Sequence, residues 1–175
     1  YRTLFYNYLA DPSYPIVAQV DQFFLFGHPS NWQPATPRQD NWNQTLTLTG
    51  YTITRSAPNS AFEVTEPSDQ HTQTARVELL WRMQTQTNQT YSAFVQLIDP
   101  QAQVLAQSDG WPADGFRPTN VLKPGEAVRD VRYLTWDLAD PPGGLSLRIG
   151  LHDSQSNQPT KLADGQDFII VPLEP

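Results

Sequence analysis

A chain of 175 residues is long enough for one domain and a flanking segment, and a domain of that size buries about 70% of its unfolded surface without help from disulfides or metals. The absence of cysteine excludes disulfide frameworks, thiolate metal sites and cysteine nucleophiles together. A formal charge of −7, with only 11 Lys and Arg, excludes nucleic acid as a partner, because phosphate contacts need clustered cations and the longest basic cluster is Arg129 and Arg132, split by Asp130 and Val131.

No stretch approaches the roughly 20 apolar residues that span a bilayer, so no transmembrane segment is expected in this chain, and no charged-then-apolar signal opens it. The sequence begins at Tyr1 rather than Met, as a processed product or an excised fragment does, so these absences are weak guides to location.

Residues 1–45 read as an N-terminal flanking segment and linker, and 46–175 as the folded domain. Within the first part, Ser13 suits a helix N-cap, Pro15 its first turn, and Ile16, Val20, Phe23 and Phe24 recur at helical spacing. A short helix is therefore expected there, although Phe23-Phe24-Leu25-Phe26 suits a buried strand equally well. Pro29 to Pro37 reads as a loop or linker, with Trp32 and Trp42 nearby to anchor it.

From Leu46 the pattern is that of a β protein: short apolar runs separated by Pro, Gly, Asn and Asp. Strands are expected at 46–54, 61–65, 74–84, 90–99, 103–107, 127–137, 144–152 and 167–173. Asp109-Gly110, Asp114-Gly115, Pro124-Gly125, Pro141-Pro142-Gly143-Gly144 and Asp164-Gly165 supply turn chemistry between them. Val77, Leu79, Trp81 and Met83 alternate with Arg76, Glu78 and Arg82, and Leu145, Leu147, Ile149 and Leu151 alternate with Ser146, Arg148 and His152. Several strands with one polar face predict an all-β fold of two antiparallel sheets packed face to face, an Ig-like or jelly-roll-like sandwich. Trp81 and Trp136 belong to its core.

Catalytic chemistry finds little support. His28, His71 and His152 fall in three separate segments with no zinc-ligand spacing, and no nucleophile elbow or phosphate-binding glycine loop is present. No cofactor, metal or catalytic residue is assigned. Asp99, Asp109, Asp114, Asp130 and Asp153 are expected at strand ends or turns, where a carboxylate caps neighbouring N–H groups. The competing uses are an acid–base pair on a glycosidic bond or oxygen ligands for calcium. Asp153-Ser-Gln-Ser-Asn157 alternates oxygen ligands but lacks the Gly and Glu of an EF-hand loop. The triplets Asn43-Gln-Thr45 and Asn88-Gln-Thr90 are N-glycosylation acceptors only in a host that performs the reaction.

Aromatic side chains are the better binding material, since sugars stack their C–H faces on indole and phenol rings. Trp111 stands out because Asp109-Gly110-Trp111-Pro112 is loop-like on both sides. Trp111, Asp109, Asp114 and Arg117 form the candidate ligand-binding set, with loop packing as the alternative role for Trp111.

A longer series of motifs adds a resemblance. Leu79-Leu-Trp-Arg82 is followed by Tyr91-Ser-Ala-Phe-Val-Gln-Leu-Ile-Asp99, Gln107-Ser-Asp-Gly-Trp-Pro112, Arg117-Pro-Thr119, Pro124-Gly-Glu126, Asp130, Pro142-Gly143 and Arg148-Ile-Gly-Leu-His-Asp153. In that order, over roughly Leu46 to Leu162, these resemble an extracytoplasmic C-terminal β-sandwich domain of bacterial membrane glycosyltransferases. Those enzymes are similar to the protein O-mannosyltransferase group, which uses polyprenyl-phosphate sugar donors. The segment Tyr1 to Pro15 is similar to the aromatic stretch preceding such domains. Leu122 stands where that pattern has Trp, His152 where it has Tyr, and Ser154 to Thr160 lacks its Thr-Gly turn. The resemblance therefore carries no aromatic platform to positions 122 and 152.

The transferase chemistry of that group belongs to its membrane portion, so the resemblance implies an exported, non-catalytic accessory domain with a possible membrane-protein association. The leading expectation is a domain that binds carbohydrate or a glycan-bearing surface, with 109–118 as the functional loop. The alternative is a protein-interaction or structural subunit of a cell-envelope assembly, which predicts an apolar patch or an unpaired edge strand. A carboxylate-dependent glycoside hydrolase comes third.

Overall fold

The computed structural model describes residues 16–20, 23–26, 33–56, 72–113, 117–137 and 143–173. Among these described residues ten strands are present: β1 (Ile16–Val20), β2 (Phe23–Phe26), β3 (Thr36–Trp42), β4 (Leu46–Ser56), β5 (Thr72–Met83), β6 (Tyr91–Ile98), β7 (Val104–Gly110), β8 (Ala127–Asp137), β9 (Ser146–Asp153) and β10 (Phe168–Pro172). Two antiparallel four-stranded sheets, ordered β3-β4-β5-β8 and β10-β9-β6-β7, form the expected sandwich, and the chain changes sheet after β5, β7 and β8. Among the described residues no helix is long and apolar enough to cross a membrane.

The alternation read in β5 and β9 builds the core. Val77, Leu79, Trp81 and Met83 face inward with Leu147, Ile149 and Leu151, all fully buried. Trp42 and Trp81 meet edge to face, 5.5 Å between ring centroids at 66°, an arrangement favoured by the ring quadrupoles.

Two expectations need correction. The N-terminal helix is absent: Ile16–Val20 and Phe23–Phe26 pair as antiparallel strands, with Val20 opposite Phe23. Aromatic and β-branched residues favour the pleated ribbon, and the tight spacing of two apolar runs outweighs the weak cap signal. The linker ends sooner than read. β3 joins the sheet from Thr36, ahead of the boundary expected at 45–46, and Pro37 is tolerated because β3 is an edge strand. Trp42, expected to anchor the linker to the sandwich, is fully buried in its core. The strand expected at 61–65, His28, His71 and Trp32 lie outside the described residues.

The β3–β4 connection also runs without glycine. Asn43 and Gln44 both take left-handed φ values, 49° and 55°, and Thr45 donates its N–H to Trp42 O. That is a type I′ geometry, whose twist suits a hairpin.

Next to it, Gly50 follows a bulge at Leu48/Gly50, and a Cβ there would strike Pro34 and lie 2.9 Å from Thr36 O. Only glycine lets the entry to β3 lie this close to the sheet.

Candidate functional site

Beyond Gly110 the chain leaves β7 and turns so that Trp111 points out while Pro112 and Ala113 tuck in. Trp111 is 39% exposed, against 4% for Ala113. Ala113 sits in the left-handed region at φ 56°, which costs a non-glycine residue about 1–2 kcal/mol. What holds it there is Asp130. Its Oδ1 accepts the Ala113 N–H at 3.0 Å, and its Oδ2 accepts from Trp81 Nε1 at 3.3 Å and from Arg132 Nε and NH2 at 3.0 Å each. Arg132 NH2 also donates to the carbonyls of Gly110 and Trp111, both at 3.0 Å. A fully buried ion pair thus grips the loop through its backbone. The Trp111 ring is fixed separately, its Nε1–H donating to Ser154 Oγ at 3.1 Å, and Ser154 Oγ lies 2.9 Å from Ser92 Oγ.

Trp111 adjoins the outward face of β10-β9-β6-β7. Strand register sets that face in rows: Asp109, Phe94, Gly150 and Phe168 in one, Gln107, Gln96, Arg148 and Ile170 in the next, with Ser92 and His152 paired on the other side. The Phe94 ring lies over Gly150, where a Cβ would strike it and approach Asp167 O at 2.8 Å. His152 stacks on Phe94, 6.3 Å between centroids at 26°. Arg148 sits over the Phe168 ring at 4.8 Å, and Ile170 is 56% exposed. The result is a shallow, mostly polar face with flat aromatic rings set into it.

The sequence-predicted residues divide. Asp109 is exposed on this face, and its Oδ2 accepts from Gln107 Nε2 at 3.3 Å. Asp114 lies outside the described residues. Arg117 pairs with Glu126, which also accepts the Lys123 N–H at 3.1 Å. Partial burial lowers the Arg117 guanidinium pKa. Its NH2 thus links two loops, while its Nε is buried without an acceptor. Leu122 is fully buried in the core.

Asp99 and Asp153 do cap turns: Asp99 Oδ1 accepts the N–H groups of Gln101 and Gln103, at 2.9 and 2.8 Å, and Asp153 Oδ1 those of Gln155 and Ser156, at 3.0 and 2.8 Å. Asp130 instead occupies the middle of β8, a correction to its expected turn position. Among the described residues no group of three or more His, Asp or Glu is placed to hold a metal.

The Asp153 cap yields a pH prediction. Hydrogen bonds from the Ser156 N–H, the Ser156 hydroxyl and the Gln155 N–H hold its carboxyl below the usual carboxylate range. A depressed carboxylate contributes stability above its unfolded pKa and loses that contribution as pH falls through the folded value. Acidification is therefore expected to release the 153–158 turn, seen as faster amide exchange at Gln155 and Ser156, while neutral and alkaline pH leave it closed. Unchanged relative exchange through the acid range would contradict this.

Asp130, Arg132, Phe94 and Arg148 were not among the predicted site residues. The signal for the first two was present: Val128, Asp130, Arg132, Leu134 and Trp136 share one period-two face, so two charges sit on an apolar stripe.

No family model matches the chain, and no curated protein matches it. Among solved structures, a β-glucuronidase from glycoside hydrolase family 2 is similar at 14% identity with a TM-score of 0.43. The match covers 71% of this chain and 11% of that one, so the chain corresponds to only a small part of that protein.

Proposed function

We propose that this chain is a non-catalytic, extracytoplasmic accessory domain that binds carbohydrate through Trp111 and the adjoining open face of β10-β9-β6-β7. The observation that carries the reading is Trp111. An indole 39% exposed on a loop whose carbonyls, N–H and ring nitrogen are all tied down keeps its apolar face toward solvent at little ordering cost. An exposed indole beside half-buried rings flanked by Asp109, Gln107 and Gln96 suits a sugar, which offers C–H faces for stacking and hydroxyls for orientation. The sandwich serves as a rigid support for the loop. Attachment to a membrane glycosyltransferase is part of this proposal, as the setting that the motif series implies.

The test is a glycan array probed with the purified chain and with Trp111→Ala. Selective binding that falls at least tenfold in the folded variant is expected, in line with loss of an aromatic anchor. Absence of any bound glycan with a well-folded wild type would overturn the reading and direct effort to protein partners.

A further inference from the structure

Arg148 differs from the other arginines of the described residues. Each of those donates at least one hydrogen bond to a carboxylate, amide or carbonyl oxygen. Arg148 donates none; its guanidinium rests over Phe168 at 4.8 Å, and its Nε is buried without an acceptor. A guanidinium carries five donors in a planar fork, and a buried Nε–H without an acceptor is unfavourable. The chain has 18 Asp and Glu at net charge −7, so carboxylates are plentiful, yet among the described residues none is paired with this cation. Its setting is the open face itself. Gln96 lies opposite on β6, exposed Ile170 opposite on β10, and Phe94 and Phe168 occupy the next row.

We infer that Arg148 anchors a subsite for an acidic sugar, a residue bearing a ring carboxylate of the uronic-acid kind. The carboxylate accepts two parallel N–H bonds from the guanidinium, a geometry that a fork matches and a neutral hydroxyl does not. The pyranose ring then lies against the Phe94 and Phe168 rings, whose stacking is indifferent to charge. Arg148 thereby selects among sugars that the aromatic surface holds in common. This rests on the carbohydrate reading above and adds the class of sugar.

The experiment is a glycan array carrying uronic-acid oligosaccharides beside their carboxyl-reduced counterparts, with bound members then titrated in solution. The wild type is expected to prefer the acidic member of each pair, with affinity falling as salt rises. Arg148→Gln is expected to lose that preference, weakening binding of the acidic member by about tenfold or more relative to its carboxyl-reduced counterpart, as for a charge-assisted hydrogen bond. Ile170→Glu, on an exposed position, places a competing carboxylate opposite Arg148 and should give the same loss with the guanidinium intact.

Equal binding of acidic and reduced members, or an Arg148→Gln variant that keeps the preference, overturns the acidic subsite while leaving Trp111-dependent sugar binding in place. If no glycan is bound at all, the carbohydrate reading and this subsite fall together.

Discussion

Replacing Asp130 with alanine is expected to lower folding stability by about 3–5 kcal/mol, the range for breaking a buried ion pair from one side. The side chain is fully buried on the core face of β8, and Arg132 beside it is 3% exposed. Without the carboxylate, Arg132 keeps a buried charge with no counterion from Asp130, Trp81 Nε1–H loses its acceptor, and Ala113 loses the bond that offsets its left-handed φ. Urea denaturation at neutral pH, followed by circular dichroism, measures the loss. A companion variant separates charge from grip. Asp130→Leu combined with Arg132→Met removes both charges, and replacing a buried pair with apolar groups is often neutral. Much of the stability should return, yet the carbonyls of Gly110 and Trp111 stay without their donor, so amide exchange across 110–113 should remain fast. A double variant as unstable as Asp130→Ala would show that the cost is not an unpaired charge.

Trp81→Ala is the second large effect, at about 3–5 kcal/mol for emptying a buried indole site. Against a typical domain stability of about 5–15 kcal/mol, that is a fall of roughly 10 °C or more in Tm, measurable by thermal unfolding. Three contributions are lost together: apolar burial at the centre of β5, the edge-to-face contact with Trp42, and the hydrogen bond to Asp130. Trp81→Phe keeps a ring against Trp42 but offers Asp130 no donor, so it should fall between wild type and alanine. Because the two indoles touch, Trp42→Ala and Trp81→Ala combined should cost less than the sum of the single losses. Strict additivity would mean that the ring contact contributes nothing.

Alternation made the sandwich legible. From Ala75 to Met83 in β5 and from Ser146 to His152 in β9 the inward residues are apolar and the outward ones, Leu80 apart, polar or small, so Val77 to Met83 and Leu145 to Leu151 read directly as sheet faces. β3 was hidden because Thr36-Pro-Arg-Gln-Asp-Asn-Trp42 has no apolar residue before its last position. As an edge strand it is held by backbone pairing with β4 and by the fully buried Trp42 at its end. Its hairpin was hidden because Asn43 and Gln44 do the work usually signalled by glycine.

At the site, Trp111 was legible from its turn-rich flanks. Asp130 and Arg132 carried a signal only in their shared parity with Val128, Leu134 and Trp136, since a charged pair otherwise reads as surface. Phe94, His152, Arg148 and Phe168 come from three strands distant in sequence, and only sheet order brings them onto one face. Whether Arg117 was free or already paired depended on Glu126, nine residues away across a turn.

The two outward sides of the sandwich are not equivalent. Glu78, Leu80, Arg129 and Val131 alternate with core residues in β5 and β8 and so point away from the interior, yet each is buried, with Glu78 and Arg129 joined as an ion pair. The centre of that side is closed, whereas the side bearing Phe94 and Arg148 is open. On the carbohydrate-binding proposal, a repetitive surface would meet this domain through one sheet only, which makes its sheet faces monovalent. Tenacious attachment to such a surface has to come from the number of copies presented together, and the spacing between copies then sets the strength that no single face supplies.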